Sequence, residues 1–142
     1  MRLNRNSSFL LVVDVQSRLA PAIHKNKDVI AHCIALVRAA RLLDVPLFAS
    51  EHCPERIGPI VPELRSFLRD DEIITKRHFS CVDDPVILER LRRLKRSQAV
   101  IAGMEAHVCA MQAALGLAEQ GFLPFFAGDA VGSRHVADHA AA

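Results

Sequence analysis

Three apolar runs of the sequence each lead to a different reactive side chain: Asp14, Lys76 or Cys109. The runs span residues 9–13, 73–75 and 99–103, and a short turn separates the third run from Cys109. Short apolar runs without alternation are typical of buried parallel strands. In open parallel sheets, ligands bind beyond the carboxyl ends of the strands. A carboxylate, an ammonium group and a thiol at one such edge would serve nucleophilic catalysis by cysteine.

Cys109 is the candidate nucleophile. It is predicted in the first turn of a helix, where the partial positive charge of the helix N-terminus would lower the pKa of the thiol. Backbone N–H groups of the same turn could bind the oxyanion that forms when a thiolate attacks a carbonyl. The alternative is a small buried apolar cysteine, which is the interpretation adopted for Cys33, Cys53 and Cys81.

Asp14 and Lys76 each have a structural alternative of equal weight. Asp14 follows five apolar residues, so its carboxylate needs partners near a buried edge, but it could also serve only a cap or a loop hydrogen bond. Lys76 could pair with Asp14 and place a positive charge near the thiolate, or it could be a surface lysine whose stem covers apolar atoms. The expected meeting of all three groups at one edge favours the catalytic interpretation.

Helical and strand patterns alternate along the chain. Helices are predicted at residues 27–43, from 62, from Pro85 to about 95, at 107–120 and from 136. Strands are predicted at residues 47–50 and 122–127 in addition to the three runs, with irregular segments at 51–62 and 129–134. The alternation predicts an α/β fold, a three-layer, doubly wound (Rossmann-like) parallel sheet with helices on both faces. Residues 1–142 lack the last helix and edge strand of that pattern. We therefore interpret them as a single domain that is truncated at its C-terminus.

The composition excludes several classes of protein. Of the 142 residues, 51% are hydrophobic and 24% charged, and the net charge of +2 is dispersed, so no nucleic-acid partner is expected. The chain lacks Trp and Tyr, and no apolar run reaches membrane-spanning length. Four cysteines without CxxC spacing and without a secretion signal favour a reduced, cytoplasmic compartment.

Five motifs, taken together, resemble those of the isochorismatase-like cysteine hydrolases. They are LVVDVQ (11–16), EHCP with GPIVPEL (51–54 and 58–64), KRHFS (76–80), GMEAHVC (103–109) and GDAVGSR (128–134). Their order and spacing cover nearly the whole chain. Within that superfamily, the second motif is most similar to that of the isochorismatase domain-containing proteins.

The resemblance implies a catalytic triad of Asp14, Lys76 and Cys109. Asp14 would take the thiol proton, Lys76 would stabilise the charged groups, and Cys109 would form the covalent adduct. The resemblance also implies a cis peptide bond between Met104 and Glu105, with the N–H groups of Glu105 and Cys109 directed at one oxyanion. Proximity to the triad in sequence predicts a pocket lined by Gln16, His78, Phe79 and Glu105.

No metal or cofactor is predicted. Nicotinamidases of this superfamily bind a metal through an aspartate and histidines after the second strand, where this chain has only Glu51 and His52. Two ligands make a poor metal site. His135 and His139 have helical i, i+4 spacing, but they lack an intervening carboxylate motif and are expected to be a surface pair.

The sequence thus predicts a hydrolase that acts on a small carbonyl or amide compound through cysteine and that forms homo-oligomers. Two alternatives remain open. The same fold could be a catalytically silent oligomeric scaffold or binding protein, or it could be a redox sensor. The sensor would need a resolving cysteine, which nothing in the sequence marks.

Overall fold

Five parallel strands form the central sheet of the computed structural model, which describes all 142 residues. The strands are β1 (Ser8–Val13), β2 (Leu47–His52), β3 (Ile73–Lys76), β4 (Gln98–Met104) and β5 (Leu123–Gly132). Their order across the sheet is β3-β2-β1-β4-β5. The carboxyl end of β1 therefore lies between those of β2 and β4, where the direction of winding reverses and where ligands bind in such sheets.

Helices cover both faces of the sheet. They are α1 (Asn26–Leu42), α2 (Pro54–Ile57), α3 (Pro62–Arg65), α4 (Pro85–Arg93), α5 (Met111–Glu119) and α6 (Val136–Ala141). One core forms between α1 and one face, and a second forms between the other face and α4 with α5. These layers confirm the predicted three-layer α/β fold. None of the helices combines the length and the apolar character that crossing a bilayer requires.

Local signals in the sequence account for several element boundaries. Asp84 caps α4, because its Oδ1 accepts hydrogen bonds from the N–H groups of Val86 (2.8 Å) and Ile87 (3.4 Å), and Pro85 occupies the first helical position. Gly121 follows α5 with a φ of +86°, a conformation that glycine adopts without steric cost. Both boundaries agree with the sequence prediction.

Two segments are more regular than the sequence predicts. Strand β5 continues to Gly132, through part of the predicted 129–134 loop, because its pairing with β4 resumes after a register shift. In the predicted irregular segment 51–62, β2 extends to His52, α2 follows, and Ile60 forms a bridge with Gln16. Backbone pairing with a neighbouring strand overrides the glycine and polar residues that normally mark loops.

Gly103 allows β1 and β4 to approach closely at their carboxyl ends. Its φ is +117°, and a methyl group on its Cα would lie 2.0 Å from the carbonyl oxygen of Val13. Only glycine fits this position. The approach brings the turn after β4 next to the residue that follows β1, which is Asp14.

Candidate active site

A fully buried ion pair lies at the carboxyl edge of the sheet. Asp14 directly follows β1, and Lys76 is the last residue of β3. The Lys76 Nζ lies 2.7 Å from Asp14 Oδ2, and neither side chain is exposed. Charges taken out of water at this depth require close partners. The structure therefore brings together the carboxylate and the ammonium group that the sequence assigned to one edge.

Further contacts hold both groups of the pair in place. Asp14 has a φ of 50°, in the left-handed region that aspartate tolerates better than most residues. Its Oδ1 accepts a hydrogen bond of 2.6 Å from the Ser50 hydroxyl of β2. The Lys76 ammonium donates a second hydrogen bond, of 3.1 Å, to the His78 carbonyl. Charge-assisted hydrogen bonds of this kind leave the pair little freedom to move.

Cys109 lies in a π-helical turn, Ala106–Ala110, that precedes α5. The turn begins directly after the Met104–Glu105 peptide bond, which is cis in agreement with the resemblance. The Ala110 N–H donates to the Glu105 carbonyl at 3.2 Å, which closes the wider turn. The sequence predicted a regular helix from 107, and the π turn is where the structure differs.

The thiol of Cys109 shares the environment of the buried ion pair. Burial raises its pKa to about 12, and the negative charge of Asp14 adds to that effect while the positive charge of Lys76 opposes it. Hydrogen bonding to Asp14 likewise raises the pKa of the thiol, and hydrogen bonding to Lys76 lowers it. The prediction of a lowered pKa at the helix N-terminus is therefore wrong. Cys109 is only 7% exposed, and the cost of desolvating a thiolate there outweighs the favourable effect of the helix N-terminus.

We expect iodoacetamide to alkylate Cys53 before Cys33, Cys81 and Cys109, because Cys53 alone of the four free thiols is not buried. Far below a pKa of about 12, alkylation of Cys109 should accelerate by about tenfold per pH unit. Peptide mass spectrometry over a pH series measures both effects. Preferential alkylation of Cys109 near neutral pH would contradict the protonated resting thiol.

Glu105 and Met104 are buried in the turn before Cys109. The Glu105 carboxylate accepts from the backbone N–H of Arg134 at 3.2 Å and lies 3.2 Å from the Arg134 guanidinium. This pair ties the π turn to the segment after β5. The Glu105 side chain thus has a positioning contact in addition to the predicted place of its N–H in the oxyanion site.

The other three residues predicted to line the pocket lie in different environments. Gln16 is fully buried, and its amide bonds the backbone of His52 and the Gly58 carbonyl, so that it fastens the end of β2 to the following loop. His78 is exposed and contributes its carbonyl to Lys76. Phe79 is half-exposed, and its ring packs on His52 with centroids 5.6 Å apart.

His52 lies at the same edge of the sheet, and the only role that the sequence suggested for it was that of a metal ligand. It ends β2 and pairs in register with Lys76. Its Nδ1 atom is buried and has no hydrogen-bond partner. The order of residues after β2 could have pointed to it, since β2 neighbours β1 and its carboxyl end must lie close to Asp14. The structure has no cluster of three or more His, Cys, Asp or Glu residues that could hold a metal ion.

Comparison with known proteins gives one consistent family. The model of the isochorismatase domain matches residues 8–142. Isochorismatase domain-containing protein 2 of Danio rerio is 31% identical over 137 residues, which are 96% of this chain and 68% of that protein. The chain spans about two thirds of the length of its curated relatives, from 62% to 68%.

Two solved structures share the fold across almost the whole chain. One is described as the MAR1 ribonuclease of Caenorhabditis elegans, at 33% identity and a TM-score of 0.91, covering 99% of this chain and 72% of that one. The other is the Escherichia coli ycaC gene product, described as an octameric hydrolase of unknown specificity. It has 25% identity and a TM-score of 0.91, with 99% and 71% of the two chains covered.

Proposed function

Because the chain belongs to the isochorismatase family, we propose that it is a hydrolase of small carbonyl compounds, amides above all, that acts through a covalent intermediate on Cys109. The observation that carries the proposal is the buried Asp14–Lys76 pair, 2.7 Å between charged atoms, whose two charges both act on the pKa of that thiol. An adjacent base is what a protonated cysteine needs to become a nucleophile.

The proposed reaction begins with a proton transfer from Cys109 to Asp14. This transfer moves the negative charge from Asp14 to the sulfur, and Lys76 stabilises the charge on both groups. The sulfur then attacks the substrate carbonyl carbon. The oxyanion accepts hydrogen bonds from the N–H groups of Glu105 and Cys109. As the C–N bond breaks, the proton on Asp14 passes to the departing amine. A thioester remains on Cys109.

Water completes the cycle in the second half of the proposed reaction. It attacks the thioester carbon and gives a proton to Asp14, and the C–S bond breaks to release a carboxylic acid. The proton then returns from Asp14 to the Cys109 sulfur, so the resting pair and thiol are restored. Neither half requires a metal or a cofactor. The half-exposed ring of Phe79 and the nearby His78 would border the entry to the pocket.

We expect acid quenching during turnover of a primary amide to trap a mass increase equal to the acyl group on the Cys109 peptide. Cys109→Ser should abolish both the adduct and hydrolysis, since a serine hydroxyl is a far weaker nucleophile at this site. Cys33→Ser is the matched control, because Cys33 is also buried with a pKa raised to about 12 but lies on α1 in the other core. Intact-protein and peptide mass spectrometry measure the adduct.

A panel of amide and ester substrates, assayed with the wild-type chain and with Cys109→Ser, separates the alternatives. Hydrolysis that survives Cys109→Ser would refute covalent catalysis, and a wild-type chain that turns over no amide or ester would favour the silent scaffold. RNA belongs in the panel because one solved neighbour is described as a ribonuclease. Peroxide treatment that yields a reversible disulfide would favour the redox sensor.

We also propose that the chain forms homo-oligomers, which the octameric E. coli neighbour supports. Light scattering of the purified chain tests this proposal. A monomer at micromolar concentration would contradict it.

A further inference from the structure

His52 is held at the edge of the proposed site by its own main chain. The His52 N–H donates to Gln16 Oε1 at 2.7 Å, and Gln16 Nε2 donates to the His52 carbonyl at 3.0 Å. The same Nε2 donates to the Gly58 carbonyl at 2.6 Å. A buried amide that hydrogen-bonds both backbone groups of one residue leaves its main chain little freedom, so the backbone that carries the imidazole is fixed before any ligand binds.

The imidazole is positioned by Phe79 and by hydrogen bonding to the His78 backbone, and its Nδ1 has no partner. Its ring packs on the ring of Phe79 at 5.6 Å between centroids and a tilt of 35°. Its Nδ1 is buried and makes no hydrogen bond. A buried polar atom without a partner costs about 1–3 kcal/mol of stability. Such an atom beside a reaction centre is explained if a ligand supplies the missing partner.

Burial, more than any neighbouring charge, favours the neutral form of the His52 ring. Burial lowers its pKa, and the positive charge of Lys76 lowers it further, against a smaller opposite effect of Asp14. A neutral imidazole carries one N–H donor and one lone-pair acceptor. The same charges show that the ring lies within electrostatic reach of the ion pair on which the proposed reaction depends.

We propose that Nδ1 of His52 accepts a hydrogen bond from the N–H of a substrate amide and thereby selects amides with at least one N–H over esters. This inference rests on the proposed function. In the neutral tautomer that carries its proton on Nε2, Nδ1 lacks only a donor. The nitrogen of a substrate amide is bonded to the carbon that Cys109 would attack, so its N–H is close enough to supply that donor. An ester of the same acid presents the same carbonyl but no donor, so it would leave Nδ1 unsatisfied.

The test compares benzamide with methyl benzoate as substrates of the wild-type chain and of His52→Phe. Phe keeps a ring against Phe79 and removes both nitrogens. We expect KM for benzamide to rise by about tenfold with kcat nearly unchanged, because one uniformly used hydrogen bond is lost. The kinetic constants for methyl benzoate should stay within about twofold of the wild-type values.

Two further variants separate hydrogen bonding from packing. In His52→Asn the side-chain oxygen lies about where Nδ1 lies, so this variant should recover most of the loss for benzamide. His52→Gln places its amide farther along the chain and should not recover it. An equal loss on benzamide and methyl benzoate, or no loss on either, would overturn the inference, because His52 would then only support Phe79 and the loop.

Nitrogen-15 NMR of the imidazole gives a readout that does not require turnover. In the Cys109→Ser chain, saturating benzamide should shift the Nδ1 resonance, and methyl benzoate should leave it unchanged. A resonance that responds to neither compound overturns the inference. The proposed function fails separately, through the absence of the acyl adduct on wild-type Cys109.

Discussion

Replacing Lys76 with Met is expected to lower the free energy of unfolding by about 3–5 kcal/mol. Methionine fills nearly the same space, but it leaves the Asp14 carboxylate without its partner at a position that has no exposure to water. Activity should be lost in the same variant, since the proposed reaction needs a positive charge beside the sulfur. Urea denaturation at neutral pH measures the stability, and the amide panel measures the activity.

The control for Lys76→Met removes both charges. Asp14→Asn is the suitable partner change because asparagine tolerates the φ of 50° at this position and can still accept the hydrogen bond of Ser50. The double variant should regain most of the lost stability and stay inactive, because an uncharged pair has no desolvation penalty. A double variant as unstable as Lys76→Met alone would show that packing, and not the unpaired charge, accounts for the loss.

Gly103→Ala is expected to lower the free energy of unfolding by more than about 4 kcal/mol. The new methyl group would lie 2.0 Å from the Val13 carbonyl oxygen and 2.6 Å from the Val13 nitrogen. Neither strand can yield, because β1 and β4 are paired in the interior of the sheet. The φ of +117° is also closed to alanine. Urea denaturation or, if the variant is insoluble, recovery of folded protein measures the effect.

Gly128→Ala provides the matched control for Gly103→Ala. It lies in β5, but a methyl group there would meet no atom within 4 Å, and its φ is not in the left-handed region. We expect a change within about 0.5 kcal/mol. A loss of similar size in both glycine variants would contradict the explanation by close strand approach.

The sheet and the meeting of Asp14 with Lys76 could be predicted from the sequence for the same physical reason. A strand buried on both faces must be apolar along its length, so the first charged residue after such a run marks the edge of the sheet. The run at 9–13 located Asp14 in this way. β3 is an edge strand with Thr75 exposed, so its short apolar run located Lys76 by its length and the following charge and not by burial of both faces. Helix ends with a strong local signal, such as Asp84-Pro85, were predictable because the capping interaction is local.

The features that the sequence did not predict depend on groups far apart in the chain. The pKa of Cys109 is determined by how deeply the π turn is buried, which the helix pattern does not encode. The part played by His52 depends on Gln16, 36 residues away, and on Phe79. The end of β5 depends on its pairing with β4 after a register shift, and glycine and aspartate within it resemble a loop.

The central position of β1 has a consequence for synthesis on the ribosome. Ser8 and Gln98 are partners in the sheet, although 90 residues separate them in the chain. At about 5–20 residues per second, the first strand to emerge waits about 5–20 s for its second neighbour. During that interval we expect the apolar side chains of Phe9 and Leu11 to be accessible to nascent-chain chaperones, for a time that the rate of translation sets.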